Sequence, residues 1–166
     1  MVDAQVIDSL NSIIEKPLRY IKRCSDMIDI GFGDMIKVLT PRGKTQIKPE
    51  FALHIQCPLR VIIEGTIVVG SEDIYISNDT AEGLLDSDAL GSTRFDVIID
   101  TLNSYMGHEY VNNVVISSFG DITIELTNLT IQALVVGSNE DEDWRFLELT
   151  GDKKHVVKCG KLYEII

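Results

Sequence analysis

FALHIQCPLRVIIEGTIVVGSEDIYIS, residues 51–77, decides the fold class. It is rich in β-branched and aromatic residues, breaks at Gly65 and Gly70, and reads as consecutive antiparallel strands: FALHIQ, LRVIIEG, TIVVG and DIYIS. In the first ten residues, alternation places Leu53, Ile55, Cys57 and Leu59 on one face and His54, Gln56 and Arg60 on the other. That pattern describes a buried edge strand with an apolar side for the core and a polar side for solvent, a second layer or a partner.

Upstream, Val2, Val6, Ile7, Leu10, Ile13 and Ile14 recur at spacings of three and four, which predicts an amphipathic helix with Asp3 at its start and Pro17 at its end. LRYIKRCSDMIDIGFGDMIKVL then predicts two or three strands, with GFGDM as a hairpin or a bulge, and TPRGK at 40–44 is a turn. Downstream, SNDTAEGLLDSDALGS at 77–92 is a long acidic loop of the sort that carries function. Phe95, Ile98, Ile99, Leu102, Tyr105 and Met106 predict a second helix behind Ser92 or Thr93, ending at Gly107. YVNNVVISS, GDITIELTN, LTIQALVVGS, WRFLEL, HVVKC and KLYEII predict six more strands in a meander.

Two helices that interrupt runs of strands indicate the α+β class, with a mainly antiparallel and strongly curved sheet. A chain of 166 residues suits a single domain spanning 1–166. The strand, FGD, strand pattern near residues 33 and 120 is too short to count as a repeat.

Fifteen basic against twenty-six acidic side chains give a formal charge of −11, which argues against direct nucleic-acid binding or attachment to an anionic membrane. No apolar run approaches the roughly 20 residues of a membrane span, and the N-terminal segment is acidic where a signal peptide would be basic, so a cytoplasmic protein is expected. Cys24, Cys57 and Cys159, an odd number in a chain of this size, fit reduced thiols.

His54, Cys57, His155 and Cys159 form a possible zinc set by type, yet His54 and Cys57, three apart, face opposite sides of a strand, and His155 and Cys159, four apart, share a face but lie roughly 13 Å from each other, so no metal or cofactor is expected. Asp86, Asp88 and Gly91 resemble the start of a calcium loop that fails at Leu90 and Val97. No phosphate-binding glycine loop, nucleophile elbow or metalloprotease helix occurs, so no catalytic residue is assigned. Trp144 and Arg145, beside the acidic turn Glu140–Asp143, are either interface anchors or, for the tryptophan, core.

ALHIQCPLR, VVGSEDIY and the late succession of strand, acidic turn and WRF together resemble a family of small bacterial proteins of mostly unassigned role. Leu59 stands where that family has tryptophan. The resemblance implies an immunity protein of a polymorphic toxin system, whose partner is a basic toxin domain. Glu82, Asp86, Asp88, Glu140, Asp141, Glu142, Asp143, Trp144 and Arg145 are then the candidate partner-binding residues. The alternative is a small-molecule or metal-dependent enzyme or sensor around His54, Cys57 and Arg60, with Gln56 on the same polar face. A homodimer paired through an exposed strand edge is a third reading.

Overall fold

The computed structural model describes residues 2–40, 42–78, 91–104, 106–151, 154–160 and 162–166. The loop acids Glu82, Asp86 and Asp88 lie outside the described residues. Helix α1 covers Ala4–Asn11 and α2 covers Arg94–Asn103. The strands are β1 (Leu18–Cys24), β2 (Met27–Leu39), β3 (Thr45–Ile55), β4 (Leu59–Ile63), β5 (Thr66–Gly70) and β6 (Val111–Ile116), followed by β7 (Ile122–Leu126), β8 (Leu129–Ala133), β9 (Glu142–Glu148), β10 (His155–Cys159) and β11 (Leu162–Ile165).

The α+β class holds, but the expected single, strongly curved sheet is two antiparallel sheets, ordered β1-β2-β3-β9-β10-β11 and β5-β4-β8-β7-β6. The physical reason lies in the opening stretch. After Ile55 the N–H groups of Gln56 and Cys57 both turn to the Asp143 carbonyl, at 2.9 and 3.0 Å, and Pro58 has no N–H to extend the ladder. The chain therefore leaves the first sheet and starts β4 in the second. FALHIQ is accordingly an internal strand, between β2 and β9, and not an edge.

Strand parity fills the space between the sheets. On the first, Ile21, Ile30, Leu53, Phe146 and Val156 are cross-strand neighbours in one row, and all are buried. On the second, Val69, Val61, Ile131 and Ile124 form the matching row. Both rows belong to one hydrophobic cluster, joined by Val6 and Leu10 of α1 and Phe95 and Ile99 of α2.

Asp3 caps α1 by accepting the Gln5 N–H at 2.8 Å. The helix stops short of Pro17 because Glu15 adopts a positive φ of 67° and sends its N–H to the Val111 carbonyl. GFGDM resolves as a bulge: the β2–β3 register shifts between Phe32 and Met35, with Gly33 at φ +85°. In place of the expected strand DIYIS, Ser71–Tyr75 form a 3-10 turn, and Ser77 makes an isolated bridge to Thr93. The Asp73 carboxylate accepts the Gly70 N–H at 2.8 Å, a local bond that competes with strand pairing.

The C-terminal meander is also split. β6, β7 and β8 lie in the second sheet and β9, β10 and β11 in the first, so residues 134–141 form a second crossing. The two crossings are tied together, since the Leu134 N–H donates to the Pro58 carbonyl at 2.8 Å and Asp143 accepts from Gln56 and Cys57.

Candidate functional site

Where the crossings meet, the backbone has left both ladders and side chains of both sheets converge. A cavity of about 490 Å³ opens there, lined by Gln56, Cys57 and Pro58 from the first crossing, and by Val136, Gly137, Asn139 and Asp141 from the second. Glu142 and Asp143 at the start of β9, and Asp26 from the β1–β2 turn, complete it. Its described lining holds four carboxylates and no basic residue.

The acidic turn divides by function within this end. Glu142 is held by Arg145 at 2.7 Å, and Asp143 approaches the Lys158 ammonium at 3.4 Å. Glu140 and Asp141 are exposed. Arg145 itself points to the outer face of the first sheet, where its donors already serve Glu142. Trp144 has 0% exposure and offers no surface to a partner; its indole N–H donates to the Gly120 carbonyl of the β6–β7 turn at 2.9 Å, so it joins the two sheets.

Behind Trp144, a second cavity of about 390 Å³ is lined by Phe119, Val135, Gly137, Lys158 and Tyr163, among others. The 134–141 crossing thus runs as a ridge between an acidic cavity and a more apolar one. Val136 on that ridge is 73% exposed and Phe119 is 75% exposed. Exposed apolar side chains flanked by carboxylates are the arrangement of an interface centre with a charged rim.

His54, Cys57 and Arg60 do not converge. The crossing at 56–58 intervenes, so His54 leaves the outer face of the first sheet while Arg60, on β4, faces outward from the second and bonds Gln132 at 2.7 Å. Cys57 is buried, and burial, followed by the charge of Asp143, pushes its thiol up to about 12, so it stays protonated at neutral pH. Gln56 is exposed at the mouth of the acidic cavity.

His54 belongs to a different constellation. Register across the first sheet aligns Lys22, Asp29, His54 and Arg145 in one outward row. Asp29 is 3.2 Å from Lys22 and 3.6 Å from His54, and the Tyr20 hydroxyl lies 3.3 Å away. Desolvation lowers the His54 pKa despite Asp29, with Arg145 acting in the same direction, so the imidazole is neutral at neutral pH. A cavity of about 370 Å³ lies over this row. His155 and Cys159 lie four residues apart on β10, and no group of three or more metal-ligating side chains gathers among the described residues.

Sequence reasoning missed Asp26, Val136 and Lys158. Lys158 left a signal: it shares strand parity with buried Val156 and therefore points inward. Asp26 and Val136 left none, because only the meeting of two distant crossings brings them together.

The fold and this end define an α+β protein of two antiparallel sheets with an acidic, partly apolar loop face. Comparison with family models, with curated proteins and with solved structures gives no match. No helix among the described residues is long and apolar enough to cross a membrane.

Proposed function

We propose that this chain is a binding protein that docks a basic protein partner on the end formed by the two crossings. An immunity protein that occupies a toxin domain is the specific form of that reading. The observation that carries it is the four-carboxylate cavity bordered by exposed Val136. Glu140 and Asp141 steer the encounter, because charges at an interface rim act mainly on association rate. Val136 and Phe119 provide the apolar contact, and the paired Glu142 and Asp143 form a fixed acidic wall.

The test uses the product of the neighbouring gene, co-expressed for host growth rescue and then titrated in vitro against the wild-type chain and E140K/D141K. The double reversal is expected to lower the association rate by about tenfold or more and to flatten its salt dependence. Unchanged rate and salt dependence would remove this end as the docking surface, and absence of both rescue and binding would remove that gene product as the partner.

A further inference from the structure

Beyond Phe32 and Phe51 the β2–β3 hairpin outruns its neighbours. β1 pairs with β2 only as far as Phe32, and β9 pairs with β3 only as far as Phe51. From Met35 and Pro49 to Leu39 and Thr45 the two strands pair with each other and, among the described residues, with no other strand. A two-stranded ribbon is marginal in water unless something covers it.

Its chemistry is opposite to that of the rest of the chain. Residues 35–48 contain Lys37, Arg42, Lys44 and Lys48 and no acidic residue, in a protein of formal charge −11. All four are exposed, and none forms an ion pair among the described residues. Met35, Leu39 and Ile47 are large exposed apolar side chains on one face of the ribbon with Lys37 among them, while Lys48 lies on the other face and Arg42 and Lys44 at the turn.

We infer that this ribbon docks on the acidic end of a second copy of the chain, and that two copies pair reciprocally. Each surface supplies what the other lacks. The ribbon carries cations among exposed apolar side chains, and the acidic end carries Asp26, Glu140 and Asp141 around exposed Val136 and Phe119. Within one copy the two are set apart along β3, from Lys48 near its start to Gln56 just past its end, a path of eight residues or about 26 Å. No ion pair joins them among the described residues, so the match is made between molecules.

A polyanion is a poorer occupant, because the body of the protein repels it. Reciprocal pairing about a two-fold axis uses both surfaces of both copies, whereas head-to-tail pairing leaves ends open and grows filaments. This contact is distinct from strand-edge pairing, since it uses side chains of the ribbon and the crossings. It does not require the partner reading to hold, and it is measured on the chain alone.

Sedimentation velocity across a concentration series, at low and high salt, tests it with two full-length variants: one reversed on the ribbon (K37E/R42E/K44E/K48E) and one reversed on the acidic end (E140K/D141K). The wild-type chain is expected to dimerise at low salt and dissociate at high salt, and each variant alone to associate about tenfold or more weakly. Mixed, the two variants present opposite charges at both contacts, so the mixture regains the dimer. I47D, at an exposed position, is a second probe and weakens pairing without touching charge on the acidic end. A wild-type chain that stays monomeric at low salt, variants that dimerise like wild type, or a mixture that stays monomeric would each overturn the inference.

Discussion

At the scale of single residues, Gly120 shows how the candidate end is held. Its φ of +99° lies in the region that favours glycine, and a Cβ built there would collide with the Lys158 side chain. Gly65 has a similar φ of +74° with nothing within 4 Å of the added carbon. Gly65→Ala should therefore cost only the backbone penalty, about 1–2 kcal/mol. Gly120→Ala should cost clearly more, about 3 kcal/mol or above, because the stem of a buried lysine must move and the Gly120 carbonyl bond to Trp144 is disturbed. Urea unfolding measures both, and equal losses would show that Lys158 yields freely. Cysteine accessibility offers a second check at this scale. Cys24 is exposed and should react promptly with an aromatic disulfide reagent at mildly alkaline pH. Cys57, buried and with its thiol pushed up to about 12, should react only on unfolding. With half-buried Cys159 replaced by serine so that only these two thiols remain, prompt reaction of both in the native chain would mean that the first crossing opens readily.

At the scale of elements, α2 is fastened to β1 near both of its ends, by the Arg23–Asp96 ion pair and by the Asn103 side chain, which accepts the Ile21 N–H at 3.0 Å and donates to the Ile21 carbonyl at 2.8 Å. Arg23 leaves the inner side of β1, almost wholly buried, and forks onto both carboxylate oxygens of Asp96 at 2.7 Å. Asp96 also caps α2 reciprocally with Thr93. Burial alone would raise the Asp96 pKa, but the Arg23 and Thr93 bonds outweigh it and hold the carboxyl below its ordinary value. A depressed folded-state value contributes stability in full above the unfolded value, about 3.9, and loses it as pH falls through the folded value. Arg23→Met should cost about 3 kcal/mol near neutral pH, and the gap to wild type should narrow as pH falls below about 4. A gap independent of pH would assign the loss to packing and not to the pair. Such elements differ in how far the sequence announces them. The second helix was readable because its apolar period and Thr93 cap are local. Arg23 was readable in principle, since it shares parity with buried Ile21. The Ser71–Tyr75 turn was not, because Asp73 diverts the Gly70 N–H by a bond that an apolar run does not show. The pairing of β3 with β9, residues some ninety apart in sequence, was beyond local pattern altogether.

At the scale of the whole molecule, two features of the charge distribution were invisible until the sheets were assembled. The acidic end exists because crossings at 56–58 and 134–141 are bonded to one another, and the basic ribbon stands apart because β1 and β9 stop at Phe32 and Phe51. The sequence reading weighed total charge, −11, and a sum hides opposite signs at two ends. If the ribbon serves association and not folding, it can be removed. None of residues 36–48 described by the structure is fully buried, and the core rows lie wholly on the sheet side of the bulge. Ile36 and Lys48 face each other in the native ladder, so replacing residues 37–47 by Asn-Gly closes the hairpin with a favoured two-residue turn. The shortened chain should keep its far-ultraviolet circular dichroism and lose less than about 1 kcal/mol in urea, which corresponds to a melting shift of roughly 2–4 °C for a chain of this size. Its charge becomes more negative, and it should remain monomeric at low salt where the full chain pairs. A basic partner should still bind its acidic end, and more tightly at high protein concentration, because the competing second copy has lost its arm. A shortened chain that unfolds would instead make the ribbon part of the folding core, and one that still dimerises would move the contact between copies elsewhere on the molecule.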